Sequence, residues 1–120
     1  MPKHILTVDD EKVILELLNE FLTALGYRVS QSQSVADALA VVAQDPPELL
    51  ITDLQLVDSD GLDLIARVKE SLPDLPVILL TGMLFDATTV ESSLADKISA
   101  YVSKTAPLTQ LHGEIKRLLG

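Results

Sequence analysis

Five residues of this chain are of types that handle phosphoryl groups or divalent cations, and each stands at the end of a short apolar run. Asp9 and Asp10 close the run in LTVDDEKV, Asp53 follows ELLIT, Thr81 follows PVILL, and Lys104 follows AYVS. Neighbouring carboxylates about 4 Å apart repel by roughly 4 kcal/mol at an effective dielectric near 20, so a helix N-terminus, a cation or both must offset the cost. Carboxylate oxygens are hard ligands suited to Mg²⁺, which is commonly held by one or two carboxylates with phosphate oxygens and water. Asp53, the lone acid after its run, is a candidate nucleophile for an acyl phosphate. The Thr81 hydroxyl is suited to donating to a phosphoryl oxygen, and the Lys104 ammonium to neutralising charge as it develops. Together they form a set for phosphoryl transfer.

For these side chains to meet, the chain must bring its run ends to one edge, and its hydrophobic pattern predicts that. His4–Val8 (HILTV) reads as a first strand. Ile14, Leu17, Leu18, Phe21, Leu22 and Leu25 then recur at helical spacing, with Gly26 as the stop. Tyr27–Ser30 reads as a weaker strand. Ser34 caps a second helix with Val35, Ala38, Leu39, Val42 and Ala43 on one face, ended by Pro46-Pro47. Glu48–Thr52 and Pro76–Leu80 are continuous apolar strands flanking a helix over Gly61–Leu72. A poor helix over Asp86–Ala95, a strand at Ala100–Val102 and a helix over Pro107–Leu119 complete the chain. Alternating β and α elements with nearly continuous apolar strands predict an α/β fold: a doubly wound parallel sheet of five strands with five helices on both faces. Sites in such folds lie at the carboxyl ends of the strands. With no linker, repeat or low-complexity tract, residues 1–120 read as one domain.

Composition narrows the function further. Of 120 residues, 48% are hydrophobic and only 3% aromatic, so the core is built from Leu, Ile, Val and Ala. There is no Cys, which excludes disulfides, thiolate metal sites and a cysteine nucleophile. A formal charge of −9 argues against nucleic-acid binding, which needs a basic footprint. No signal-peptide core or spanning apolar run is present, so a cytoplasmic location with no membrane contact is expected. Asp58, Asp60 and Asp63 in DSDGLD read as the start of a helix, since the twelve-residue calcium-loop pattern and its terminal Glu are missing. His4 and His112 fall at a strand start and in the last helix, away from the run ends.

The acid pair Asp9-Asp10, the lone Asp53 in ITDLQL, Thr81 in LLTG and Lys104 in AYVSKT, in that order, resemble the response-regulator receiver domain, and the match covers essentially the whole chain. The resemblance implies a flavodoxin-like strand order 2-1-3-4-5. It implies that Asp53 accepts a phosphoryl group from the phosphohistidine of a histidine kinase or phosphotransfer protein. It further implies Mg²⁺ on Asp9 or Asp10, Asp53 and the backbone carbonyl of Gln55, catalytic roles for Thr81 and Lys104, and a switch pair of Thr81 and Tyr101. Such a domain is not an enzyme on an external substrate; it catalyses only its own phosphotransfer and dephosphorylation. Its output is expected on the face made by Phe85–Ile98, the fifth strand and the last helix, toward a protein target or an effector domain. This chain departs from the family pattern at Val57 and Thr105, where prolines are usual, and keeps the usual glycine at Gly61. A cis bond before Thr105 would cost about 2.5–4 kcal/mol, so a trans bond or a reshaped loop is expected there. The competing reading is a receiver-like interaction module that works without phosphorylation. An aspartyl-phosphate phosphohydrolase is less consistent, because that class carries D-x-D where this chain has DDE. A dinucleotide-binding protein is less consistent still, because no G-x-G-x-x-G follows the first strand.

Overall fold

The computed structural model describes residues 2–54, 56, 58, 60–81 and 97–120. Its elements are β1 (His4–Val8), α1 (Lys12–Ala24), β2 (Arg28–Ser32), α2 (Val35–Gln44), β3 (Leu49–Thr52), α3 (Gly61–Ser71), β4 (Val77–Thr81), β5 (Ala100–Ser103) and α4 (Leu108–Leu119). The five strands form one sheet in the order β2-β1-β3-β4-β5, every pair parallel. This is the expected doubly wound order. Among the described residues there are four helices. The helix expected over Asp86–Ala95 lies outside them.

Strand side chains alternate between two cores, as the period-two geometry of a strand requires. Leu6, Val8, Leu50, Val77 and Leu79 point to one face and pack with Val35, Ala38 and Val42 of α2 and Leu64, Ile65 and Val68 of α3. Ile5, Leu49, Ile51, Ile78, Leu80 and Val102 point to the other, with Leu18 and Leu22 of α1 and Leu111 and Ile115 of α4. Both faces of the central strands are thus covered, which is why their sequences read as unbroken apolar runs. β2 differs because it is an edge strand. It lies along Arg28–Ser32, shifted toward the C-terminus from the expected Tyr27–Ser30. Its partly polar sequence carries little apolar signal, and pairing with β1 from His4–Arg28 to Val8–Ser32 sets its extent.

Helix α1 ends as Gly26 predicts. Gly26 takes φ +97°, its N–H donates to the Thr23 carbonyl (3.0 Å), and the Tyr27 N–H donates to the Leu22 carbonyl (3.1 Å). These two bonds close a Schellman motif, whose left-handed residue favours glycine. The buried face of α1, however, is rotated from the one expected. Leu15, Leu18 and Leu22 are buried, whereas Leu17 and Leu25 are 45% and 38% exposed. The helix carries more apolar residues than its contact face can take, so two overlapping stripes fit the helical period and packing on the sheet selects one.

His4 starts β1, at the end of the sheet opposite the acids, and is fully buried. Its Nε2 pairs with Ser30 Oγ at 2.7 Å and its Nδ1 faces the Pro46 carbonyl at 3.4 Å. It is a satisfied structural histidine, as its position in the sequence suggests. No helix among the described residues is long and apolar enough to cross a membrane.

The rotated face of α1 gives a direct test. Leu18→Ala should cost about 2–5 kcal/mol of stability in urea unfolding, as for other buried leucines. Leu17→Ala should cost less than about 1 kcal/mol, in the range of surface substitutions. Equal losses at the two positions would contradict the packing described here.

Candidate functional site: carboxylates around a lysine

Parallel register decides which strand ends meet. Val8 of β1 lies opposite Thr52 of β3, so the next residues, Asp9 and Asp53, sit side by side on adjacent strands. Their backbones are tied into the sheet: the Asp9 N–H donates to the Ser32 carbonyl (3.1 Å) and the Asp53 N–H to the Val8 carbonyl (2.9 Å). On the far side, Thr81 of β4 pairs with Ser103 of β5, and Lys104 follows. Two strand spacings, roughly 9–10 Å, separate β5 from β3, so a long side chain is needed to reach across.

Lys104 spans that distance. Its Nζ lies 2.9 Å from Asp9 Oδ2, 3.0 Å from Asp53 Oδ2 and 2.6 Å from Glu11 Oε2. All described peptide bonds are trans, as expected before Thr105. In place of a proline, a hydroxyl turn shapes the loop. Ser103 Oγ and Thr105 Oγ1 are 2.8 Å apart, the Thr105 N–H donates to Ser103 Oγ (3.2 Å), and the Ala106 N–H donates to the Ser103 carbonyl (3.0 Å). Serine and threonine hydroxyls commonly close turns by such local bonds. The reshaped loop does not keep Lys104 from the acids.

One ammonium therefore serves three carboxylates, with Asp10 alongside. Asp9 and Asp53 are buried, while Asp10 and Glu11 are exposed. Carboxylate oxygens of Asp9, Asp10, Glu11 and Asp53 all lie within 4.8 Å of one another, a set of hard oxygen donors that fits a divalent cation. Burial is the largest influence on Asp9 and lifts its pKa to about 6. The Lys104 hydrogen bond and the Glu11 N–H opposing it do not fully compensate, and Asp53 adds repulsion. For Lys104, burial is again the largest single influence and acts downward, but hydrogen bonds to Asp9, Glu11 and Asp53 outweigh it and the pKa rises. The lysine stays charged, and the acids still carry more negative charge than it can balance.

Asp53 is held by its own loop as well. Its Oδ1 accepts the Leu54 N–H at 2.7 Å, which leaves Oδ2 facing Lys104. The chain returns to this point at Gly61, whose N–H donates to the Leu54 carbonyl at 2.6 Å. A Cβ at position 61 would stand 2.0 Å from the Asp53 carbonyl oxygen. Glycine is required there by that approach, with no unusual φ involved.

Of the residues singled out from sequence, Asp9, Asp10, Asp53 and Lys104 converge. Thr81 ends β4 at the same edge by its backbone pairing, but its side chain and Gln55 lie outside the described residues. Tyr101 lies opposite Leu79 in β5, half-buried against the core under α2 and α3. Glu11 was missed. Its signal was present in the third acid of DDE, which stands at the N-cap of α1. Of the DSDGLD acids, Asp60 does start α3: its Oδ1 accepts the Asp63 N–H at 2.7 Å.

Residues 5–116 match the response regulator receiver domain family. The chain belongs to that family. Similar curated proteins include the transcriptional regulatory protein GlrR of Escherichia coli, 40% identical over 81 residues that make up 68% of this chain and 18% of GlrR. The photosynthetic apparatus regulatory protein RegA of Cereibacter sphaeroides is 34% identical over 111 residues, 91% of this chain and 59% of RegA. The transcriptional regulator NtrC of Rhizobium meliloti is 32% identical over 115 residues, 96% of this chain and 24% of NtrC. The chain thus spans from under a fifth to about three-fifths of the length of these relatives. Among solved structures, a CheY-like receiver domain protein from Methanospirillum hungatei superposes with a TM-score of 0.89 at 28% identity, covering 98% of this chain and 93% of that one. A BeF3-activated DrrB receiver domain superposes at 0.86 with 30% identity, covering 99% and 98%. This receiver domain is therefore of the two-component signalling class.

The raised pKa of Asp9 fixes a pH dependence. Between the ordinary carboxylate value near 4 and about 6, the unfolded chain releases the Asp9 proton while the folded protein retains it. Stability of the cation-free protein should therefore fall as pH rises through that window, by about 3 kcal/mol in total. In chelator, urea midpoints from pH 4 to 7 should show that decline in the wild type and a flatter profile in Asp9→Asn. Parallel profiles would mean that Asp9 is not the strained group.

Proposed function

We propose that this receiver domain is a phosphoacceptor switch in which Asp53 takes a phosphoryl group from a phosphohistidine on a histidine kinase or phosphotransfer protein. The observation that carries the reading is the placement of Asp53 Oδ2 3.0 Å from Lys104 Nζ, beside the oxygen cluster of Asp9, Asp10 and Glu11. Asp9, Asp10 and Asp53, with the Gln55 carbonyl, are the residues that would hold Mg²⁺. The bound cation would neutralise negative charge between the carboxylates and the incoming phosphoryl oxygens.

A carboxylate oxygen of Asp53 attacks phosphorus, the P–N bond to the imidazole breaks, and its electron pair leaves with the ring nitrogen, which takes up a proton. Asp53 is suited to this because its Oδ2 faces the Lys104 ammonium and its Oδ1 is pinned by the Leu54 N–H. Lys104 is tethered by its own acids and needs only to pass from a carboxylate oxygen to a phosphoryl oxygen as charge moves outward. Thr81, at the end of β4, supplies a hydroxyl for a second phosphoryl oxygen. Tyr101, two strands from the acceptor and half-buried, follows Thr81 as the switch reporting to Phe85–Ile98, β5 and α4. That face engages a protein target or an effector domain, in keeping with the greater length of the transcriptional regulators it resembles. Hydrolysis of the aspartyl phosphate by water resets the switch.

Incubation with acetyl phosphate and Mg²⁺, followed by intact mass, should add one phosphoryl group to the wild type and none to Asp53→Asn or in excess chelator. A modification that persists in Asp53→Asn would overturn the assignment. A wild type that stays unmodified by acetyl phosphate and by phosphohistidine donors would favour the phosphorylation-independent interaction module.

A further inference from the structure

The first four amide N–H groups of a helix have no partner within it and must find one elsewhere. In α2 the three that follow the cap residue are satisfied, by two residues far apart in sequence. Ser34 Oγ accepts the Asp37 N–H at 3.1 Å, and the Ser34 carbonyl accepts the Ala38 N–H at 3.1 Å. The first two are taken by Asp58, from the loop that follows the phosphoacceptor: Val35 N–H to Oδ1 at 2.8 Å and Ala36 N–H to Oδ2 at 3.2 Å. Ser34 is the local cap that the sequence predicts. Asp58 is a second cap that comes from 22 and 23 positions away along the chain.

The link has a consequence for the loop as much as for the helix. The chain leaves β3 at Asp53 and is pinched shut at Gly61, where the glycine N–H meets the Leu54 carbonyl and the missing side chain admits the Asp53 carbonyl. Between those points Leu56 is buried among the side chains under α2 and α3. Asp58 then adds a polar anchor, with two charge-assisted bonds to amides at the positive end of a helix. The Val35 N–H first, and then the Ala36 N–H, hold the Asp58 carboxyl below the usual carboxylate range, so the anchor is ionised at neutral pH. Position 57 is Val, which lacks the fixed φ of a proline.

We propose that Asp58 is a positioning residue for Asp53: by docking on the first turn of α2 it fixes the loop whose near end carries the acceptor carboxylate. It touches no reacting atom. The inference rests on the phosphoacceptor reading for its kinetic consequence, though not for the tether itself. The same bonds link the N-terminus of α2 to the state of the loop, since any change that moves one must strain the other.

Ser34→Ala is the natural control, because it weakens the same helix terminus without touching the loop. Asp58→Ala, Asp58→Asn and Ser34→Ala should be compared with the wild type in three measurements. Thermal unfolding should show similar losses for Asp58→Ala and Ser34→Ala. Amide exchange in the unphosphorylated protein should show the Gly61 and Leu54 N–H groups exchanging roughly tenfold faster in Asp58→Ala and unchanged in Ser34→Ala. With acetyl phosphate and Mg²⁺, the rate of Asp53 modification should fall by about tenfold in Asp58→Ala, as small misplacements near reacting groups do. It should stay near wild type in Ser34→Ala and lie between in Asp58→Asn, which keeps one acceptor oxygen. If the two alanine variants lose stability alike and share wild-type loop exchange and phosphorylation rates, Asp58 is only a helix cap and the proposal fails. If the wild type itself is not phosphorylated, the function proposed above fails, while the exchange comparison still decides whether the tether positions the loop.

Discussion

The contact of Lys104 with Asp9, Glu11 and Asp53 is the interaction on which the arrangement of the site depends. It joins the end of β5 to the ends of β1 and β3 across β4, so it depends on the register being held at every step of the sheet. It also sets the local electrostatics. Asp9 and Asp53 are buried carboxylates, and a buried charge without a partner costs several kcal/mol. One ammonium pairs with both, and four acidic side chains still crowd their oxygens within 4.8 Å of one another. That crowding is the condition under which a divalent cation or a phosphoryl-cation pair is attracted instead of repelled.

The crowding also explains why the acids lie on the rim and not inside a core. Each is the first residue beyond a strand whose side chains are buried on both faces. A carboxylate one residue earlier would sit between helix and sheet with no cation in reach. One residue later it would be exposed, as Asp10 is. The parallel sheet thus supplies a narrow zone in which the backbone is rigid while the side chains are partly withdrawn from water. Such zones favour perturbed carboxylates, and Asp9 shows the perturbation.

The strands with two buried faces and the acids that end them were legible in the sequence because short, continuous apolar runs alternating with helical stripes are the pattern of a sheet buried on both faces, and the charge after each run marks where it leaves the core. What was not legible depended on selection among equivalents. Leu15 and Leu17 both fit a helical stripe, and only the packing of α1 in the folded protein buries the first and exposes the second. Nothing in DDE separates Glu11 from a solvated acid, and its pairing with Lys104 requires knowing that a residue 93 positions away arrives beside it. Asp58 and Asp60 look alike in DSDGLD. One caps the helix that follows it and the other the helix that precedes its strand, a distinction that resides in the path of the loop and not in the residue type.

That loop brings the fold and the site together. Asp53 is committed four ways within a few ångströms: its N–H to Val8, its Oδ1 to Leu54, its Oδ2 to Lys104, and its carbonyl facing the bare Cα of Gly61. A group so constrained cannot move by itself when its charge changes. Adding a phosphoryl group to Oδ2 would displace Lys104 toward the new oxygens and leave the other three restraints intact. The response must then pass along the two linkages that leave the site: the lysine's turn at Ser103–Ala106 on one side, and the Asp58 tether to α2 on the other. The first route leads into α4, whose first turn begins just beyond that turn. The second leads across the sheet to the opposite helix layer. On the function proposed above, a rigid carboxylate between two linkages is what would let a local change in charge be felt at a distance, because strain that Asp53 cannot absorb has to appear in one of them.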